Sequence, residues 1–289
     1  MRLRDLVAHC RLELETAGVS FGQGTLNAHD EAAWLVLWAV GLPLDTDLDD
    51  TAAPVTPEAQ ARVLDLLHQR IHSRQPLAYL TGEAWLQGVP FYVDSRTIIP
   101  RSLIAEVLAM GWLDAYVPES DARILDLCTG NGSLAVLAAL AWPQAWVHGL
   151  DLSTQALQVA ARNVERHGLG DRIELSVSDG FAAARGRYHL ILCNPPYVNQ
   201  HSMDALPLEF RAEPTLALAG GTDGMDFIRP CLQQAARWLT PESALVLEIG
   251  HEIEHFERAF PSLTPCWLET SAGDTQVALL RAADLAAWS

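Results

Sequence analysis

The chain has 289 residues, of which 49% are hydrophobic and 19% are charged, a composition that excludes a disordered chain and predicts a sizeable core. Its length predicts about two domains. The formal net charge of −17 argues against tight binding to bare nucleic acid and suits a basic protein or a cationic small molecule. Because the N-terminal segment has acidic residues where a signal peptide needs an apolar core, and no apolar run approaches the ~18 residues of a membrane span, we expect a cytoplasmic protein that does not bind membranes.

The five cysteines are scattered along the chain, at Cys10, Cys128, Cys193, Cys231 and Cys266. No pair has the spacing of a metal site or of a redox motif, so no metal is expected. Cys128 and Cys193 lie in apolar runs, which favours small buried thiols at both positions.

Residues 1–80 are predicted to form a small helical domain that recognises the substrate. Apolar residues recur at three- and four-residue spacing in three segments, 3–18, 30–41 and 56–75. Gly18 and Gly41 are suited to end the first two helices, and Pro57 is suited to begin the third. The acidic, turn-rich segment 42–54 is expected to be a surface loop.

The next segment, residues 81–101, consists of short β-branched or aromatic pieces separated by Gly88, Pro90 and Asp94. This pattern predicts a β-hairpin that links two domains. A single helix is then predicted from Ser102 through residue 116.

Residues 102–289 are predicted to form an α/β domain, because strand-like and helix-like segments alternate from about residue 120. Five strands are expected at 123–128, 146–152, 172–179, 188–194 and 244–250, with helices at 132–142, 153–168, 224–239 and 251–260. The last two strands, 266–270 and 276–282, are joined by a turn too short for a parallel crossover. The pattern therefore predicts a doubly wound, mostly parallel seven-stranded sheet that ends in an antiparallel strand.

The segment DLCTGNGSLA, which begins at Asp126, carries a glycine turn between the first strand of this domain and its helix. Gly130 and Gly132 permit a positive φ and a close approach of a ligand, and amides at the helix start point at that ligand. The pattern also fits the dinucleotide fingerprint, and a purely structural turn is the plain alternative.

Three acidic residues lie at three successive strand ends. Asp126 precedes the glycine turn, Asp151 ends the next strand where an acid can bind both hydroxyls of a ribose, and Asp179 ends the third. Ser153 is suited to cap a helix, and Asp179 is either an adenine contact or an ordinary loop acid. Acids without any Lys or Arg in the turn favour a cationic nucleoside, for which S-adenosylmethionine is the obvious candidate.

The fourth strand ends in the motif Asn194, Pro195, Pro196 and Tyr197. Prolines end a strand and stiffen its exit. The side-chain oxygen of Asn194 and the carbonyl of Pro195 are then two rigid acceptors for a planar NH₂ group, and Tyr197 can lie against its flat face. The pattern predicts methyl transfer to a poorly nucleophilic nitrogen, such as that of an amide.

The motifs DLCTGNG, GLDLS, SDGF and CNPPYV together resemble the class I S-adenosylmethionine-dependent methyltransferases. Within that class the chain resembles the protein-(glutamine-N(5)) methyltransferases, the HemK-related family, over nearly its whole length. The run LPLEFRAEP, which begins at Leu206, and the segment IPRSLIAE, which begins at Ile99, are most similar to the PrmB branch. That branch acts on a basic partner, large-subunit ribosomal protein L-three, whereas its sister branch acts on peptide release factors.

The resemblance implies roles for residues at each strand end. It implies that a methionine and sulfonium group is bound by Cys128, Thr129, Gly130, Asn131 and Gly132. It implies that Asp151 and Leu152 bind the ribose and that Asp179, Gly180 and Phe181 flank the adenine. Asn194 would contact both the cofactor and the glutamine, which is also held by Pro195, Pro196 and Tyr197.

Some positions depart from the family pattern, and other functions remain open from the sequence. Ile98 and Ile99 stand where some relatives have an aromatic residue near the methyl group, and Arg101 either orients substrate or is an exposed structural arginine. The rival functions are N6-adenine methylation of nucleic acid, nicotinamide-dependent oxidation and a non-catalytic role in ribosome assembly. The first needs a basic groove, which the charge of −17 disfavours.

Overall fold

A computed structural model describes residues 2–48 and 55–288. Four helices come first, α1 (Leu3–Ala17), α2 (Ala28–Val40), α3 (Pro57–Ser73) and α4 (Leu77–Thr81). Gly18 and Gly41 end the first two in the left-handed conformation, and the Thr56 side chain caps α3, as predicted. Residues 49–54 of the predicted acidic loop lie outside the described residues.

A two-stranded hairpin, β1 (Glu83–Leu86) and β2 (Val89–Tyr92), follows the helices. Its Ala84 packs into the core formed by α1, α2 and α3, whereas Phe91 packs into a core of the α/β part. The hairpin therefore contacts both parts of the molecule. The division at residues 80 and 101 into separate domains stays a prediction.

The helix predicted from Ser102 to residue 116 was wrong in its length. The structure has a short α5 (Ile104–Ala109) and then a 3₁₀ turn at Asp114–Tyr116. Gly111 lies between them with φ +71°, a left-handed conformation that ends a helix.

Seven strands form the large sheet: β3 (Arg123–Leu127), β4 (Trp146–Asp151), β5 (Ile173–Val177), β6 (Tyr188–Cys193), β7 (Leu239–Glu248), β8 (Cys266–Thr270) and β9 (Gly273–Arg281). Their spatial order is β5-β4-β3-β6-β7-β9-β8. β3 to β7 are parallel, and β9 runs antiparallel to β7 and to β8. The five parallel strands confirm the predicted mostly parallel sheet. Strands β4 and β5 lie on one side of β3, whereas β6 and β7 lie on the other, so the strand order reverses between β3 and β6. Ligands of such sheets bind at this point.

The remaining helices are α6 (Ser133–Ala141), α7 (Thr154–Arg166), α8 (Gln200–Asp204), α9 (Thr215–Leu218), α10 (Ile228–Trp238), α11 (Ile253–Ala259) and α12 (Ala282–Trp288). Alternate residues of the central strands enter two cores on the two faces of the sheet, as Ile124 and Leu125 of β3 do. Among the described helices, none is long and apolar enough to cross a membrane.

Buried ion pairs join the segment after β6 to the N-terminal part of the chain. Glu209 is fully buried and accepts a hydrogen bond from the Ser20 amide, 3.1 Å away, while the Arg74 guanidinium lies 2.9 Å from the same oxygen. Glu213 forms a bidentate pair with Arg101 at 2.6 and 2.7 Å. These contacts hold the helical part against the edge of the sheet that carries the candidate site.

Candidate active site

A cavity lies at the carboxyl ends of β3, β4, β5 and β6. Its walls include residues from each predicted strand end and others that we did not predict: Arg96, Thr97, Ile98, Leu127, Cys128, Gly130, Leu150, Asp151, Leu152, Ser153, Ala156, Ser178, Asp179, Gly180, Asn194, Pro196, Pro214, Leu216, Ala217 and Phe227. Successive parallel strands bring distant sequence segments to one edge, which is why these side chains meet.

A smaller cavity adjoins the first and is lined by the glycine turn and the segment from Ile98 to Ser102. Four residues, Ile98, Cys128, Gly130 and Asn194, line both cavities. Thr129 and Asn131, which were expected to contact a ligand, line the smaller cavity only. Asn194 therefore lies where the two spaces meet.

The glycine turn has a left-handed backbone at Cys128, Gly130 and Gly132, with φ of +64°, +56° and +80°. A Cβ built on Gly130 would have only the Cys128 carbonyl within 4 Å, at 4.0 Å, so a side chain there would occupy the cavity. Gly132 differs from expectation because it lines neither cavity. A Cβ on Gly132 would lie 3.1 Å from the Cβ of Ala160, so this glycine permits α6 to approach α7.

Asp126 lies beneath the glycine turn rather than on the cavity wall. It is fully buried, and its Oδ2 accepts hydrogen bonds from the Thr129 hydroxyl and from the Ala135 amide. Its Oδ1 has no hydrogen-bond partner within the described residues. The carboxyl that we expected to contact a ligand instead shapes the turn and the start of α6.

Asp126 should make stability depend on pH. Burial raises the pKa of its carboxyl from 3.8 to about 7, so the unfolded chain loses this proton first and the free energy of unfolding falls as pH rises through that window. Asp126→Asn keeps an acceptor for Thr129 and Ala135 and cannot ionise. We expect its free energy of unfolding, relative to wild type, to increase by about 2 kcal/mol between pH 5.5 and pH 8.

Urea unfolding at the two pH values measures this difference. Asp171→Asn is a matched control, because Asp171 is an exposed acid in the same part of the chain. If the free energies of unfolding of Asp126→Asn and wild type differ by the same amount at both pH values, Asp126 does not titrate in this window.

Asp151 lies at the end of β4 with both carboxylate oxygens directed by backbone amides. Oδ2 accepts from the Gly130 amide and Oδ1 from the Ser153 amide, each at 2.8 Å. Burial raises the pKa of this carboxyl above its usual value. Each oxygen has a further acceptor position, so Asp151 can bind two hydroxyl groups of a ligand in the cavity. Leu152, which also lines the cavity, is 53% exposed.

Of the residues that follow β5, Asp179 and Gly180 line the larger cavity and Phe181 does not. The Ser178 hydroxyl donates to the Gly180 carbonyl at 2.7 Å. Phe181, expected to flank a ligand, is instead buried and stacked on Trp238 with ring centroids 5.9 Å apart. The chain reverses at Gly180, whose φ is +51°, and this turn directs the following ring into the core.

Asn194 has no protein partner for its side chain within the described residues, although it lies at the junction of the cavities. Pro195 is buried and lines neither cavity, and no described residue donates a hydrogen bond to its carbonyl. Pro196 lines the larger cavity. The motif thus presents one free carboxamide beside the glycine turn on a stiff exit from β6.

Tyr197 takes a position that differs from the expected one. It lines neither cavity, and its hydroxyl donates to Glu248 at 3.2 Å. Its ring lies against Gly250, where an added Cβ would be only 2.5 Å from a ring carbon. Glu248 also accepts from the Ser102 hydroxyl at 2.6 Å, so this carboxylate joins the motif to the start of α5. Tyr197 therefore anchors the motif from behind.

The glycine loop at 220–224 packs directly on the main chain of the Asn194–Tyr197 motif. One methyl group added to this loop should therefore lower the stability of the protein considerably. A Cβ on Gly224 would lie 2.3 Å from the Tyr197 carbonyl oxygen, and Gly224 has φ +81°. Gly168 has φ +66° with no atom within 4 Å of an added Cβ. We expect Gly168→Ala to cost roughly 1–2 kcal/mol of stability and Gly224→Ala roughly 1–3 kcal/mol more, because the backbone must shift.

Thermal unfolding of both variants measures this difference. Because the shift reaches the motif itself, Gly224→Ala should also lose activity, whereas Gly168→Ala should retain it. Equal stability of the two variants would contradict the close approach of the loop to Tyr197.

Several residues of the site were missed from the sequence. Pro214, which ends the run LPLEFRAEP, and Leu216 and Ala217, which follow it, line the larger cavity. Arg101 is neither exposed nor free, since Glu213 binds both of its terminal nitrogens. The two glutamates of that run were visible in the sequence, but their arginine partners lie more than one hundred residues away.

Comparison with known proteins was consistent with the motifs. A family model described as "Methyltransferase small domain" matches residues 109–218. A ribosomal protein uL3 glutamine methyltransferase of Bordetella pertussis is 52% identical over 96% of this chain and 94% of its own length. The protein of that name from Neisseria meningitidis serogroup B is 44% identical over 96% of this chain and 92% of its own length.

Among solved structures, the hMettl16 catalytic domain in complex with MAT2A 3'UTR hairpin 6 is 14% identical and covers 76% of this chain and 80% of its own. Its TM-score is 0.51, and at that identity the likeness shows a shared methyltransferase fold alone. The sequence relatives carry more weight, because identity near one half over almost the whole length preserves fold and motifs together. The chain belongs to the family of ribosomal protein uL3 glutamine methyltransferases, and this membership confirms the resemblance inferred from its motifs.

Proposed function

We propose that this chain transfers a methyl group from S-adenosylmethionine to the side-chain amide nitrogen of a glutamine in ribosomal protein uL3. The observation that carries the proposal is the position of Asn194. Within the described residues its carboxamide has no protein partner, and it lies at the junction of the two cavities beside the glycine turn. Asn194 follows β6, and only β3 separates this strand from β4, which ends in Asp151. The names of the sequence relatives support both the reaction and the substrate.

The residues present fit S-adenosylmethionine. Gly130 and Gly180 line the larger cavity, and neither has protein atoms that a Cβ would meet closer than 4.0 Å, so both leave room for a ligand. Asp151 has acceptor positions for the two ribose hydroxyls. Cys128 to Asn131 would lie along the methionine and sulfonium end, Leu152 beside the ribose, and Asp179 and Gly180 beside the adenine. When bound, the cofactor supplies a methyl group activated by the sulfonium charge.

The acceptor glutamine would be held by Asn194 and Pro195. The Asn194 side-chain oxygen would accept one hydrogen of the glutamine NH₂ group, which has two donors. The Pro195 carbonyl, which accepts no hydrogen bond from a described residue although Pro195 lines neither cavity, would accept the other. These bonds increase electron density on a nitrogen whose lone pair is otherwise delocalised into the carbonyl. Orientation supplies much of the remaining effect, since aligned reactants gain roughly 7–11 kcal/mol over free encounter.

The atoms balance without a strong base. The methyl group would form a bond to the glutamine nitrogen as its bond to sulfur breaks, and the electron pair of the broken bond would remain on sulfur. The methylated amide nitrogen is then strongly acidic and releases its proton to water or to a carbonyl oxygen. Tyr197 takes no part in this proton transfer, because its hydroxyl donates to Glu248 behind the motif.

A methyl-transfer assay with tritiated S-adenosylmethionine tests the proposal. Unmethylated uL3, unmethylated peptide release factors and duplex DNA are offered in parallel, and mass spectrometry locates the added methyl group. We expect label in uL3 on one glutamine. The charge of −17 disfavours DNA as the acceptor.

The outcomes separate the alternatives. Label in DNA and not in protein would replace the proposal with adenine methylation. Label in release factors alone would assign the chain to the sister activity. A wild-type protein that binds S-adenosylmethionine yet labels none of the three would favour a non-catalytic binding role.

A further inference from the structure

The helical part of the chain carries a second pocket, separate from the cavities of the candidate active site. It is lined by Trp34 of α2, Trp85 of β1, Asp30, Leu44 and the backbone at Gly24 and Thr25. Its volume is about 260 Å³, which is several times the ~30 Å³ that one water occupies. We call it the tryptophan pocket.

Trp34, one of the residues that line the tryptophan pocket, carries an unpaired buried donor. Trp34 is 7% exposed, and its indole Nε1 is buried with no hydrogen-bond partner within the described residues. An indole N–H can only donate, so an incoming group must supply an acceptor. Because this atom is covered, a bound carbonyl or carboxylate oxygen would pair with it only after the indole ring turns toward the pocket, and that pairing would satisfy a donor that is otherwise unpaired.

The rim of the pocket is unusually apolar for a free surface. Trp85 is 40% exposed, Leu44 is 37% exposed and Leu26, next to Thr25, is 86% exposed. Trp38, one helical turn after Trp34, is 40% exposed. Of these residues Trp85 and Leu44 line the pocket, and exposed large apolar side chains at one pocket are typical of a protein interaction site.

The charge at the pocket selects the partner. Asp30 is exposed at the pocket wall, and its Oδ2 accepts from Asn27 at 2.8 Å, which leaves Oδ1 available within the described residues. Among the residues that the structure describes, no Lys or Arg lines the pocket. Two indole rings beside a carboxylate provide both an ion pair and cation–π contacts for a guanidinium or ammonium group.

The tryptophan pocket is tied to the candidate active site through the hairpin. Trp85 of β1 pairs with Pro90 of β2, and the Tyr92 backbone bonds twice to Asn163, at 2.7 and 3.0 Å. Asn163 also donates to the Asn131 carbonyl of the glycine turn at 2.8 Å. A substrate that binds both places is therefore held in one register relative to the reacting groups.

We propose that the tryptophan pocket binds a Lys or Arg side chain, together with an adjacent backbone carbonyl, from an extended segment of the basic protein substrate. The cationic group lies against Trp85 and Asp30, and the carbonyl accepts the Trp34 N–H. A different part of the same substrate then supplies the glutamine to Asn194. This inference rests on the proposed function, because it concerns the same protein substrate.

Steady-state methylation of whole unmethylated uL3 tests the inference, with a short peptide around the modified glutamine as the second substrate. The variants are Trp85→Ala, Asp30→Asn and Trp34→Phe, which removes only the ring N–H and its five-membered ring. Trp112→Ala is the matched control, since Trp112 is 45% exposed and lies outside the pocket. Thermal unfolding and the Kd for S-adenosylmethionine check that each variant is folded.

We expect Trp85→Ala to raise the KM for whole uL3 by about tenfold, as removal of an interface hot spot does, with kcat unchanged. Asp30→Asn should raise it several-fold and weaken its dependence on salt. The short peptide should be methylated equally by all variants, because it does not reach the pocket. Trp112→Ala should match wild type on both substrates.

Two outcomes overturn the inference in distinguishable ways. If wild type methylates uL3 and the pocket variants keep its KM, the pocket does not bind substrate, and the proposed function stands. If wild type does not methylate uL3 at all, the proposed function fails and the inference fails with it. Loss of activity on the short peptide as well would show a general defect rather than a docking role, and would also reject the pocket.

Discussion

Asn194→Ala should lower kcat for glutamine methylation by about 10²–10³-fold, which is the usual cost of deleting one preorganised polar group at a reacting centre. The side chain has no protein partner within the described residues, so its removal leaves no buried group unpaired. The fold should therefore be preserved. The Kd for S-adenosylmethionine should change by about fivefold at most, the equivalent of one ordinary hydrogen bond.

Single-turnover methylation of uL3 and calorimetric titration of the cofactor separate these two quantities. Gln200→Ala is the matched control, because Gln200 is an exposed carboxamide six residues further along the chain that bonds to Asp204. A variant that retains kcat within a few-fold of wild type would remove Asn194 from the reaction. A loss confined to the cofactor Kd would make Asn194 a cofactor contact and nothing more.

Asp151→Ala should raise the Kd for S-adenosylmethionine by at least about 10²-fold, because two hydrogen bonds from hydroxyls to a carboxylate are lost at roughly 1.5–3 kcal/mol each. Asp151→Asn should also bind weakly. Its amide NH₂ must face either the Gly130 amide or the Ser153 amide, which are both donors. One of these contacts then becomes donor against donor, and the glycine turn is disturbed.

A cofactor analogue without the ribose 2′-hydroxyl makes this test specific. It should bind wild type more weakly than S-adenosylmethionine does, and Asp151→Ala should bind the two compounds alike, since the partner of that hydroxyl is gone. Asp171→Ala should behave as wild type with both. If Asp151→Ala still binds S-adenosylmethionine more tightly than the analogue, another residue holds the 2′-hydroxyl of the ribose.

The strands were predictable because each is defined locally. A parallel strand covered on both faces is a nearly continuous apolar run, and β3, β4 and β6 are of this kind. Helix ends with Gly18, Gly41 and Thr56 were predictable for the same reason, since capping depends on adjacent residues. The division of the helix after Ser102 was missed, because the left-handed backbone of Gly111 interrupts an apolar pattern that otherwise continues.

Side-chain directions at the strand ends were less predictable. Asp126, Phe181 and Tyr197 all lie in motifs that adjoin the cavity, yet each points into the protein. A residue at a strand end can face the cavity or the core, and the choice depends on the layer that packs behind it. For Tyr197 that layer contains Glu248 and Gly250, which are about fifty residues away in the chain.

The sequence by itself determined the alternation of strands and helices, the glycine turn and the stiff asparagine motif, and it marked Asp151 as the candidate acid for a ribose, because spacing and local chemistry define each of these features. Only the tertiary structure decided how the helical part is held against the edge of the sheet that carries the candidate site. Buried carboxylates do this through distant partners, as Glu213 does with Arg101 across 112 residues. Such pairs satisfy charges that burial would otherwise penalise, and no local pattern marks which two charges will meet.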